Sequence, residues 1–137
     1  MPKFGKTSSK RLESCDPMLQ LVLRKAINII DFSILEGHRS TEKQQEYFKS
    51  GLSKLDGVTQ KSKHQAMPSK AVDIAPYPID FTDKEKVRAR FYHLQGVIKA
   101  VAYDLGVSLR FGLDWDSDGE FTDQSFDDLP HVELANN

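Results

Sequence analysis

The chain has 137 residues, of which 39% are apolar and 28% charged, with a formal net charge of −1. That length suits one domain, 1–137, with a real core; no apolar run could hold the chain stably in a bilayer, and the charge balance excludes a general nucleic-acid binder. Cys15 is the only cysteine, which excludes an intrachain disulfide and a thiolate-based metal centre.

The first eleven residues carry Lys3, Lys6, Lys10 and Arg11 but lack the apolar stretch of a signal peptide. They read as a solvated arm in preference to a contact for an anionic polymer. Asp16-Pro17 then looks like a helix cap followed by proline at the first helical position. Leu19, Val22, Leu23, Ala26, Ile27 and Ile30 recur at helical spacing, predicting a helix over 17–30. Residues 32–36 alternate as a short strand. Thr41 and Gln44 form a capping-box pattern for a second helix, which Gly51 ends, and 52–61 is a polar loop.

Residues 71–74 fit a short strand between Pro68 and Pro76, which puts Asp73 on a sheet. Thr82 and Glu85 form a further capping box. The helix they open, with Val87, Phe91, Leu94, Ile98, Val101, Ala102 and Leu105 on its apolar face, runs to Gly106 and is the longest element expected. Val107, Leu109 and Phe111 alternate as a strand, and 131–134 is the last one, with Val132 and Leu134 facing the core. The architecture expected is α+β, a small and mainly antiparallel sheet with helices packed against it.

The chemistry concentrates at His64 and Asp73, answered near the C-terminus by His131. Two histidines and one aspartate make a three-ligand zinc site whose fourth position belongs to water, the arrangement of a catalytic zinc. Closing the chain between His64 and His131 costs on the order of 3–4 kcal/mol plus a constant, so the fold is expected to preposition the ligands. A hydrolytic zinc also needs a base. Asp128 is the choice, because Pro130 bends the chain between it and His131. Glu133 shares a strand face with His131 and is the competing base or, equally, a group that orients the imidazole.

Taken together, Glu36-Gly37-His38-Arg39-Ser40, Ser62-x-His64, Ala71-x-Asp73 and Asp128-x-x-His131-x-Glu133 resemble the zinc D-Ala-D-Ala carboxypeptidase and L-alanyl-D-glutamate endopeptidase family, particularly its single-domain bacteriophage endolysins. The similarity runs from Phe4 to Leu134. It implies a Hedgehog/DD-peptidase type of fold, Zn2+ on His64, Asp73 and His131, Asp128 as catalytic base and Arg39 as a substrate-holding residue. One departure is visible: the aspartate follows the histidine by nine residues, where the commoner family step is seven with a glycine between. Met67-Pro68-Ser69 fills the longer turn, which is read as leaving the ligands in register.

Several residues carry two readings. Ser62 either hydrogen-bonds substrate or caps its loop. Trp115 belongs by default to the core, with lining of a cleft as the alternative, and His38 and His93 lack any metal-site context. Asp114, Asp116 and Asp118 with Gly119 match the start of a Ca2+ loop, but position twelve is Ser125 and no helix pattern precedes it, so a solvated acidic turn is the favoured reading.

The function expected is hydrolysis of the L-alanyl-D-glutamate bond in the peptidoglycan stem peptide by a monomeric phage lysis enzyme. It would be made in the host cytoplasm and act on the wall after membrane permeabilisation. A D-Ala-D-Ala carboxypeptidase and a non-catalytic zinc-stabilised wall-binding module are the rivals.

Overall fold

A computed structural model describes residues 2–120 and 128–135. Its elements are α1 (Lys6–Glu13), α2 (Pro17–Ala26), β1 (Phe32–Glu36), α3 (Thr41–Lys49), a 3-10 turn (Lys63–Gln65), β2 (Ala71–Pro76), α4 (Lys84–Leu105), β3 (Leu109–Phe111) and β4 (His131–Leu134). The strands form one antiparallel sheet in the order β1-β2-β4-β3. This is the α+β architecture expected. None of the described helices is long and apolar enough to cross a membrane.

Alternation along the strands separates a core face from a site face. Ile34, Val72, Ile74 and Val132 are fully buried and pack with Leu19, Val22 and Leu23 of α2 and Leu94 and Ile98 of α4. Each such side chain contributes about 1.5–3 kcal/mol by leaving water. Asp73, His131, Glu133 and Arg110 occupy the intervening positions and point to the other side. Register completes the arrangement: Asp73 lies opposite His131, Arg110 opposite Glu133, and a register shift between Ile34 and Glu36 brings Glu36 opposite Asp73. A β-bulge here turns Glu36 onto the site face.

The basic start is not a free arm. It forms α1, whose lysines stay in water while Leu12 is fully buried. Ser8 Oγ accepts from the Ile34 N–H at 3.0 Å and Arg11 Nη1 donates to the Ile34 carbonyl at 2.9 Å, so α1 covers the otherwise unpaired edge of β1.

Helix ends also differ from the sequence reading. α2 stops at Ala26, and the predicted last turn of the 17–30 helix, through Ile30, is a non-helical turn. Asp16 caps it as expected, accepting from Met18 N at 2.8 Å. Ser40 caps α3 in place of Thr41, because its hydroxyl reaches Lys43 N at 3.1 Å, and Gln44 is wholly buried with other partners. Asp83 caps α4 in place of Thr82, accepting from Glu85 N and Lys86 N. Gly106, at φ 74°, ends that 22-residue helix as its position predicts.

Candidate active site

Three side chains converge on the site face. His64 Nε2 and His131 Nδ1 each lie 3.3 Å from Asp73 Oδ1. Their neighbours fix which atoms face inward. His64 Nδ1 is 2.8 Å from the Gly37 carbonyl, to which it donates, so Nε2 keeps a lone pair; His131 Nε2 is 2.9 Å from Glu133 Oε1 and leaves Nδ1 turned to Asp73. Glu133 is held in turn by Lys63 Nζ at 2.9 Å. This is the carboxylate–imidazole pairing that orients metal ligands, and it assigns Glu133 the orienting role over that of a base.

Local structure explains each placement. Ser62 Oγ accepts from His64 N, and Gln65 Oε1 accepts from Ser62 N, a capping box that sets the 3-10 turn and tilts His64 inward. Ser62 is therefore a cap by geometry. The longer step to Asp73 is tied down through Ser69, whose N–H donates to the Ser14 carbonyl and whose own carbonyl accepts from Asp16 N. The 3.3 Å spacing shows that the extra residues leave His64 and Asp73 in register.

His64 Nε2 and Asp73 Oδ1 are buried and make no hydrogen bond. A buried polar atom left without a hydrogen bond costs about 1–3 kcal/mol, which a cation between the two would relieve. His64, Asp73 and His131 thus fit a metal ion, with ligand atoms all within 4.8 Å of one another. Burial would raise the Asp73 pKa, but the His131 and His64 side chains outweigh it and hold the carboxyl well below the usual range.

Burial likewise opposes a charged His131, yet the Asp73 and Glu133 carboxylates raise its pKa to about 9. Since that lies above the unfolded value of about 6.5, the imidazolium stabilises the metal-free protein fully below pH ~6.5, and the contribution is lost as pH rises through about 9. Urea midpoints of the metal-free protein should fall over that window. A flat profile would contradict the pairing.

Asp128 Oδ2 lies 4.0 Å from His131 Nδ1, beside the ligands. Its pKa is raised, first by burial and then by the charge of Asp73. The 128–131 turn can sit there because residue 112 is glycine: a Cβ would collide with the Asp128 carbonyl and come within 2.9 Å of the Asp128 and His131 Cβ atoms. Gly112 N donates to the His131 carbonyl and Asp128 N to the Gly112 carbonyl, both at 2.9 Å. The sequence reading missed Gly112; its one signal was a glycine directly after a strand.

Arg39 is only 9% exposed and most of its fork is committed. Nε donates to Glu36 Oε1 and Nη1 to Gln44 Oε1, both at 2.7 Å; Nη2 pairs with Glu36 and stands 3.7 Å from Asp73 Oδ2. Gln44, expected as a capping-box partner of Thr41, instead passes this order onward, donating to Ser53 Oγ and the Leu55 carbonyl in the polar loop.

Arg39, His64, Asp73, Asp128, His131 and Glu133 border one open cavity of about 630 Å³, with Tyr47 and Trp115 among its walls. Trp115 is thus not a core residue: its ring lies 5.2 Å from that of His131, with Arg110 stacked 5.0 Å above it. His38 is half-buried and His93 exposed, apart from the site. Asp114, Asp116 and Asp118 form a second group with ligand atoms within 4.8 Å; Asp114 is buried with Oδ1 unbonded, while its Oδ2 accepts from Gly119 N. Ser125 lies outside the described residues.

A buried triad of ligand type, a neighbouring carboxylate and an open cleft on an antiparallel sheet define a hydrolase, and comparison gives its kind. The sequence profile of the family described as phage L-alanyl-D-glutamate peptidase matches residues 1–135. The L-alanyl-D-glutamate peptidase of Escherichia phage T5 is 36% identical over 141 residues, covering 97% of this chain and 98% of that one. Among solved structures, the Serratia marcescens L-Ala D-Glu endopeptidase ChiX shares the fold, with a TM-score of 0.66 at 21% identity over 97% of this chain and 90% of that one. The chain belongs to the phage L-alanyl-D-glutamate peptidase family.

Proposed function

We propose that this chain, as a single monomeric domain, hydrolyses the L-alanyl-D-glutamate bond of the peptidoglycan stem peptide with zinc held by His64 Nε2, Asp73 Oδ1 and His131 Nδ1. The observation that carries the reading is the buried, unbonded pair His64 Nε2 and Asp73 Oδ1 beside Asp128. Two imidazoles and one carboxylate without thiolate are the donor set of a catalytic zinc. When bound, zinc supplies a Lewis acid for the scissile carbonyl and lowers the pKa of water from 15.7 to about 7.

The remaining chemistry falls to the chain. Asp128 accepts the proton of the attacking water and returns it to the departing amine nitrogen, so the carboxylate is regenerated each cycle. Its raised pKa brings it closer to neutrality, which favours both transfers. Glu133 keeps the His131 proton on Nε2, and Arg39 steadies the second oxygen of Asp73. Products identified by mass after digestion of purified peptidoglycan test the bond: release of stem peptides that begin at glutamate supports it, and loss of a terminal alanine alone supports a carboxypeptidase.

Asp114, Asp116 and Asp118 are assigned to Ca2+ in the same reading, because Asp114 Oδ1 is buried and unbonded within the group. Calorimetric titration of the zinc-loaded protein with calcium should give a binding isotherm that Asp114→Asn abolishes. No heat from the parent protein would remove this assignment. Synthesis in the host cytoplasm and access to the wall after membrane permeabilisation complete the proposal.

A further inference from the structure

We propose that Lys61 and Lys70 form a carboxylate-binding subsite for the glutamyl side of the scissile bond. The inference rests on the L-alanyl-D-glutamate reading and adds to it how the substrate is oriented. Beside the catalytic cavity lies a second one of about 370 Å³, and the two share Lys61, Ser62 and Lys63 as a common wall. The lining of the second cavity includes Lys61, Lys63 and Lys70 and no carboxylate.

Most of its polar groups are already engaged. Lys63 Nζ is held by Glu133 and the Leu134 carbonyl, Ser62 Oγ by His64 N, and Gln65 Nε2 by the Gly57 carbonyl. Lys61 and Lys70 are exposed and form no ion pair among the described residues. The Lys70 backbone is also tied to the site: its N–H donates to the Lys63 carbonyl at 3.0 Å, next to His64.

Substrate chemistry supplies the matching charge. An alanyl residue brings no ionised group to its side of the bond. Glutamate has two carboxyls; a peptide that continues through one of them leaves the other ionised at neutral pH. Only the leaving-amine side therefore presents an anion close to the bond, and two ammonium groups at one end of the cleft select the direction in which the peptide lies. Compact, three-donor ammonium groups suit a carboxylate without requiring one fixed angle.

Two synthetic peptides test this, each with L-alanyl-D-glutamate joined onward through the side-chain carboxyl, one with the free carboxylate and one with its carboxamide. The parent should favour the carboxylate about tenfold in kcat/KM, the scale of two partly exposed charge contacts. Lys61→Gln/Lys70→Gln should bring that ratio to about one through KM, while the charge-matched Lys84→Gln/Lys99→Gln on exposed α4 positions keeps it. An unchanged ratio in the first variant, an equal loss in the second, or cleavage of both peptides by the parent without preference overturns the subsite alone. Cleavage of neither by the parent overturns it together with the reading on which it rests.

Discussion

Asp128→Ala is expected to bind zinc as tightly as the parent and to hydrolyse stem peptide about 10²–10⁴-fold more slowly. The separation follows from geometry. Asp128 stands 4.0 Å from His131 Nδ1 but outside the group formed by His64, Asp73 and His131, so its loss removes a proton acceptor and no ligand. Glu133 cannot replace it, being held between His131 and Lys63 on the far side of the imidazole. Competition with a chromophoric chelator reads the affinity, and product masses over time read the rate. Hydrolysis at the parental rate would contradict the assignment, as would a weakened metal site with proportionate loss of activity.

Arg39→Ala should destabilise the protein by about 3 kcal/mol, lowering the melting temperature by roughly 10 °C. The side chain is 9% exposed, and removing it leaves Glu36 and Gln44 without their main partner. Glu36 retains some access to water at 21% exposure, which keeps the cost at the lower end of that for broken buried pairs. The guanidinium also lies 4.6 Å over the Tyr47 ring, a contact worth about 0.5–1 kcal/mol. Arg39→Lys should not restore stability, since a lysine cannot serve Glu36 and Gln44 at once. A residue that served only to hold substrate would instead raise KM at an unchanged melting temperature. Urea denaturation beside steady-state kinetics distinguishes the two.

The candidate metal group was legible because chemistry restricts it: with no thiolate pair in the chain, any zinc site would have to use histidine and carboxylate, and proline and strand patterning placed Asp73 and His131 on a sheet. The long helix was legible for a similar reason, its apolar period running unbroken to Gly106. α1 was not, since it buries Leu12 on an otherwise polar helix and depends on Ile34, more than twenty residues away, for its bonds. The caps at Ser40 and Asp83 sit one residue before the predicted Thr41 and one residue after the predicted Thr82, a choice between adjacent oxygen-bearing side chains that local sequence decides weakly. Arg39 shows the deeper limit. Its motif suggested a ligand anchor, while its actual partners arise from a shifted strand register and from a helix packed beside it.

The central claim is a metal-dependent cut at one bond, and one digestion tests it most directly. Purified peptidoglycan is incubated with the protein, with the protein plus a chelator, and with chelated protein given back zinc, and the products are weighed. The prediction is release of stem peptides beginning at glutamate, abolished by the chelator and restored by zinc. Equal release in the chelator, or products that lack only a terminal alanine, would contradict it.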